Sequence, residues 1–442
     1  MRKRVLTLLL MLSASIILTS CGKTGAGQTA QLQHRLLASQ SVSAPSTFGG
    51  LVVLDGFYDI IAPRTAPIGA GTSPGLMAIT PTRNIAAAFD SVSNNVYAVD
   101  TTKQSGIGNV HLPGPTFSMV LPTADPVGYA AVPMASVAGF SFLGALEVMD
   151  FSAGGVTATI PVNNAQTVIS SSSQSTTQTS TNVQLIVFSN DSNSIAVINP
   201  GNAIPPIDFS CYNSSNSSVC TIVPGFDRPV YGIINGSTAY ILNCGPQCGG
   251  VQASVMVFDL PTLTITQTIP VDAATMAYLN GSTLYVAGTS PSPANNACTG
   301  ETTAATTCGR LDIVDLTAGT VTGSIVITDG YHDNMDFTTN GQLFIGSRTC
   351  TNIGNINNPS GEVRGCLTIY RTADGSVYIP PDNGDVNALQ GFTSRNIEYV
   401  AEGGALRVYQ TLNDQLLINY FLPQGSINIV GYVRDVKAID FF

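Results

Sequence analysis

Eight copies of one strand phrase, set 39 to 60 residues apart in units built only of strands, predict an all-β chain wound into a β-propeller. The phrase is clearest in 309–327, GRLDIVDLTAGTVTGSIVI. Leu311, Ile313 and Val314 are apolar, Asp315 ends the run, Thr317-Ala318-Gly319 makes a turn, and a second β-rich run follows at 320–327. Strand, short glycine turn, strand reads as a hairpin. The other copies are GGLVVLDGFY (49–58), NNVYAVDTTK (94–103), GALEVMDFSA (144–153), NSIAVINPGN (193–202), ASVMVFDLPT (253–262), GCLTIYRTAD (365–374) and GALRVYQTLN (404–413).

A propeller blade has four antiparallel strands, the first lining the central channel. The phrase fits the third, because two strands precede it and one follows. Blade 1 then has strands at 76–80, 84–89, 96–100 and near 107–112. Blades 2 to 7 cover 117–162, 166–223, 230–271, 275–327, 334–379 and 386–422. Alternation or short apolar runs, bounded by Gly, Asn, Asp and Pro, mark the strands. In blade 3 a Ser/Thr/Gln run, 170–181, separates the first two strands and reads as a mobile insertion. Two pieces remain. Residues 50–61 hold a third and a fourth strand with nothing before them, and 427–442 hold a first and a second strand around a tight Arg434-Asp435 turn. Together they make a composite eighth blade that closes the ring and removes open sheet edges. The alternative is seven blades with both termini as decorations.

Apolar residues make up 44% of the 442 and charged residues only 10%, enough to bury a large core. A net charge of −10 without a basic footprint excludes nucleic acid as a partner. Tryptophan is absent, which counts against stacking sites for sugars or quinone cofactors, although 15 Tyr substitute in part.

Residues 1–20 read as an export signal: Arg2, Lys3 and Arg4, then an apolar run at 5–18 too short for a comfortable membrane span. The run ends in Leu18-Thr19-Ser20-Cys21-Gly22, which resembles the lipobox of bacterial lipoproteins. The resemblance implies that Cys21 is the mature N-terminus and carries acyl chains that hold the protein to a membrane. Gly22, in place of the Asp that retains some lipoproteins at the inner membrane, favours the outer membrane. Residues 28–47, rich in Gln, Ser, Ala and Thr, read as a flexible tether within a linker spanning 21–48, with His34 and Arg35 merely solvated. The propeller is expected over 49–442, as a monomer.

Eight cysteines besides Cys21 suggest disulfides in an exported chain. Each successive pair falls in one inter-strand loop, so the expected pairs are Cys211 with Cys220, Cys244 with Cys248, Cys298 with Cys308, and Cys350 with Cys366. The spacing of Cys244 and Cys248 is also compatible with zinc or a redox motif.

Gly281-Ser282-Thr283-Leu284-Tyr285-Val286 followed by Leu311-Asp312-Ile313-Val314-Asp315 resembles the YVTN-type β-propeller repeats of bacterial and archaeal secreted and surface proteins. Asn95-Val96-Tyr97-Ala98-Val99-Asp100 and Met256-Val257-Phe258-Asp259 fit the same pattern; Arg371 and Gln410 depart from it. The resemblance covers most of 49–442. It implies the fold and chooses no function, since propellers serve as binding platforms, lactonases, quinoprotein dehydrogenases and lyases.

Chemistry is expected on the face that carries the second-to-third-strand loops and the blade-to-blade connections. Three of the expected disulfides staple long loops there. The connections add Asp227, Arg228, Asp272, His332, Asp333 and Asp385 as candidate binding residues. Converging carboxylates could hold calcium, and His332 with Asp333 could act as acid and base. The plain alternative is turn chemistry, because Asp and Asn bond the local backbone. Three His are too few for a transition-metal cluster, and there is no Gly-x-Ser-x-Gly elbow and no phosphate-binding loop. The balance leans away from an enzyme. It favours a lipid-anchored platform for a protein, peptide or glycan, against a propeller-type hydrolase or lactonase with a metal at the channel mouth, or a structural envelope component.

Overall fold

The computed structural model describes residues 34–42, 49–171, 183–189, 191–202, 206–212, 219–290, 308–350, 365–380 and 384–441. They form eight antiparallel sheets in a ring, an eight-bladed β-propeller. Blade 5 shows the pattern. Its strands are Met276–Asn280, Thr283–Ser290, Cys308–Asp315 and Thr320–Ile327, hydrogen-bonded in chain order. The two-residue connection between the first two strands needs positive φ, and Gly281 supplies it at +62°.

The Asp that ends the recurring phrase has a local task. Asp315 Oδ1 accepts the backbone N–H of Thr317 at 2.8 Å and of Ala318 at 3.1 Å. Asp100 does the same for Thr102 and Lys103, and Asp150 for Ser152 and Ala153. The carboxylate closes the hairpin turn, so the repeat marks turn chemistry. Where Arg371 and Gln410 stand instead, the job passes down the turn to Asp374, which accepts from Ser376, and to Asn413, which accepts from Gln415.

Core packing lies between blades. Eight apolar clusters each fill the wedge between two neighbouring sheets. Both faces of a blade are therefore covered, and inner strands such as Ile85–Asp90 and Leu185–Phe188 are buried at every residue. A strand packed on both faces reads as a continuous apolar run.

The closing blade is composite, but its division differs from the expected two strands and two. The N-terminal part supplies three positions: Arg35–Ser41, Gly50–Asp55, and an outer edge of Ile60–Ile61 and Ile68–Gly69. The C-terminal part supplies only the innermost strand, Tyr432–Ala438. Arg434 and Asp435 lie within that strand and make no turn. Residues 427–430 stay outside the blade, and Ser426–Ile427 pairs with blade 7 instead.

Arg35–Ser41 thus corrects the tether reading. Leu36 and Ala38 enter the wedge toward blade 7, Leu37 enters the wedge toward blade 1, and all three are fully buried. Ser39 is buried too, because its hydroxyl accepts the Asp435 N–H at 2.8 Å. Arg35 is not simply solvated: its guanidinium grips Asp440 at 2.7–3.1 Å. Residues 172–182, which include most of the Ser/Thr/Gln run, lie outside the described residues.

Truncating Leu37 to Ala should lower stability by about 2–5 kcal/mol, as for a buried core leucine. A substitution in a solvated tether stays within about 0.5 kcal/mol. The shift in urea midpoint of Leu37→Ala distinguishes the two.

Candidate functional site: the channel mouth

Second-to-third-strand loops and blade-to-blade connections share the upper face, and the innermost strands start there. Those starts surround a cavity of about 650 Å³ to which all eight blades contribute. Its apolar wall includes Leu76, Phe117, Val230 and Met276. Its charged wall is Asp333, Arg348, Arg434, Asp435 and Lys437.

Both carboxylates are already engaged. Asp333 accepts from Arg348 at 2.6 Å and from Asn334 Nδ2 at 2.7 Å. Burial pushes its carboxyl up to about 6, against the pull of Arg348. Asp435 accepts the Met77 N–H at 2.7 Å, tying blade 8 to blade 1, and receives Lys437 at 3.1 Å. Arg434 is exposed and makes no ion pair among the described residues. The lining therefore carries three cations against two paired carboxylates, in a chain whose net charge is −10.

Beneath the mouth lies a buried acidic pair. A Cβ on Gly391 would meet Glu398 Oε2 at 2.9 Å and Asp336 Oδ2 at 3.0 Å, so glycine is what lets the two carboxyls approach. Asp336 keeps the Gly391 N–H at 2.6 Å. Glu398 is fully buried, and neither of its oxygens finds a full hydrogen bond among the described residues. Burial first, then the charge of Asp336, raises its carboxyl well above the ordinary range. Burial thus favours the protonated form of Glu398.

Of the six candidates named from sequence, the cavity is lined by Asp333 alone. His332 is wholly buried, with Nε2–H donating to the Thr328 carbonyl at 3.0 Å; burial lowers its pKa to about 4, so it stays neutral. Asp227 accepts the N–H groups of Val251 and Gln252 and folds its own loop. Arg228 takes φ +57° at that turn, its N–H 3.3 Å from Asn193 Oδ1. Asp272 joins Arg310 and Ser324 outside the cavity lining. Asp385 accepts the Thr349 N–H beside the Cys350–Cys366 disulfide. Among the described residues no group of three or more His, Cys, Asp or Glu is arranged to hold a metal ion.

Three of the expected disulfides are present, Cys211–Cys220, Cys244–Cys248 and Cys350–Cys366; Cys298 lies outside the described residues. Sequence reasoning missed Arg348, Arg434 and Lys437. The signal was there for two of them: in Tyr432–Ala438, YVRDVKA, charges occupy a strand that begins at the channel mouth.

No family model and no curated protein matches the chain. Among solved structures, it is similar to dihydro-heme d1 dehydrogenase NirN in complex with DHE, at 11% identity and TM-score 0.60, over 92% of this chain and 75% of that one. It is also similar to Kuenenia stuttgartiensis hydrazine synthase, at 12% identity and TM-score 0.45, over 82% and 89%. The first likeness agrees with the β-propeller fold and carries no function.

A carboxyl raised by burial stabilises the fold while protonated. That contribution is complete below the ordinary Glu range and is lost as pH rises toward the raised value. Wild type should therefore lose stability relative to Glu398→Gln as pH rises above the ordinary Glu range. Urea midpoints across pH test this; parallel curves would contradict it.

Proposed function

We propose that the protein is an extracytoplasmic, lipid-anchored binding module that takes an acid-bearing peptide or glycan into the channel mouth. The observation that carries this reading is the inverted charge of the cavity wall, where Arg434 has no ion-pair partner among the described residues. A guanidinium in a partly apolar recess binds a carboxylate or similar anion through charge-assisted hydrogen bonds. Phe117, 70% exposed at the rim, offers a face for the apolar part of a ligand. The disulfides support export to an oxidising compartment. The export signal and Cys21 support anchoring. No helix among the described residues is long and apolar enough to cross a membrane. The metal-dependent hydrolase reading loses its constellation, because His332 faces the core and Asp385 holds a loop.

Galacturonic acid and a short Asp-rich peptide, each compared with a neutral analogue, are suitable probes in thermal-shift and calorimetric titrations. The acid-bearing probes should raise the melting temperature, and Arg434→Ala should weaken them roughly tenfold or more, the value of one charge-assisted hydrogen bond. Neutral analogues binding equally well, or Arg434→Ala binding as wild type does, would count against the reading.

A further inference from the structure

Four aromatic rings crowd one exposed patch on the outer edge of blades 7 and 8, where the lower turn of blade 8 meets the segment that leaves blade 7 beside Val408. Phe57 and Tyr58 are 53% and 52% exposed, Phe421 is 54% exposed and Tyr420 is 91% exposed. They touch in sequence: Phe57 to Tyr58 at 4.8 Å, Tyr58 to Phe421 at 6.5 Å, and Phe421 to Tyr420 at 5.3 Å. Ile418, 67% exposed, lies on the same segment. A contiguous patch of this kind marks an interaction surface.

The display is rigid. Asp59, 1% exposed, receives both Arg395 guanidinium nitrogens at 2.7 and 2.8 Å and the Tyr399 hydroxyl at 2.5 Å, which pins the turn carrying Phe57 and Tyr58. On the other segment Asn419 Oδ1 accepts the N–H groups of Phe421 and Leu422, and Leu422 is fully buried as the anchor.

Position supplies the occupant. The Gly56 N–H bonds the His34 carbonyl at 3.0 Å, so the chain enters the ring against the turn that bears the rings. His34 follows Cys21 by 13 residues, which span at most about 45 Å when fully extended. We infer that this aromatic edge sits in the interface of the bilayer that holds the lipid on Cys21. The inference rests on the lipid-anchor reading. Tyrosine suits the place, with an apolar body and a polar tip at the headgroup level. The charged groups behind the edge, Asp59 and Arg395, neutralise each other, so the surface asks for a boundary of headgroup and acyl chain and not for anionic lipid.

The chain has no tryptophan, so one introduced residue reports alone. The full lipidated protein is reconstituted into phosphatidylcholine–phosphatidylethanolamine vesicles with brominated acyl chains. Tyr420→Trp probes the edge, and Val92→Trp, at a 67% exposed site on an upper turn, is the reference. A residue about 5–10 Å into the boundary is reached by bromine, so Y420W emission should shift to the blue and fall by roughly half or more, with V92W unchanged. Flotation with vesicles but equal or absent quenching at the two sites overturns the edge and leaves the anchor. A blue shift that follows protein concentration without quenching assigns the patch to a second copy and overturns the inference. A chain that neither floats nor carries lipid mass on Cys21 overturns both readings.

Discussion

The fold depends on one seam, where Tyr432–Ala438 pairs with Arg35–Ser41 across some four hundred residues of chain. A gap in a ring of sheets packed face to face would leave an apolar face bare on each side. The seam is accordingly held by more than its ladder. Arg35 grips Asp440, Ser39 satisfies the Asp435 N–H, and Asp435 reaches on to Met77 in blade 1. On the other flank, Gln390 accepts the Ala438 N–H, and Asp59 takes Arg395 and Tyr399 from blade 7. Charge is scarce in this chain, and much of it is spent where the two ends meet.

The blade count was legible because the hairpin turn after each phrase needs a backbone cap, and in five of the eight copies that need writes an Asp at a fixed place, namely Asp55, Asp100, Asp150, Asp259 and Asp315. The strand Arg35–Ser41 was illegible for the opposite reason. RLLASQS has no cap and no β-branched residue, and Arg35, Ser39 and Gln40 are satisfied by partners some four hundred positions away. Composition alone reads such a segment as linker. Only the two wedges that receive Leu36, Leu37 and Ala38 make it a strand.

The same physics explains the uneven reading of the site. Counting acidic residues in the connections found Asp227, Asp272 and Asp385, which are held by local backbone or flanking side chains. Asp333 reached the cavity because a register shift between His332 and Asn334 turns that stretch of strand, sending the histidine into the core. A shift of that kind leaves no signature in a single sequence. Arg434 was hidden by its assignment to a turn and Lys437 by its assignment to a separate second strand; once Tyr432–Ala438 is recognised as the innermost strand, their place at the channel follows.

The three-and-one division of the closing blade also sets an order of events. Arg35–Ser41 is among the earliest parts of the ring to emerge from synthesis, and its partner among the last. Seven blades can fold as each is completed, from local hairpins of low contact order. The N-terminal strands must wait, with the edge of Arg35–Ser41 unpaired, until Tyr432–Ala438 arrives. The nascent molecule therefore carries one open strand edge throughout its production, the kind of edge on which chains pair wrongly with each other. Once shut, the seam reverses its meaning: either end can detach only by opening the most non-local contact in the molecule, which favours slow unfolding.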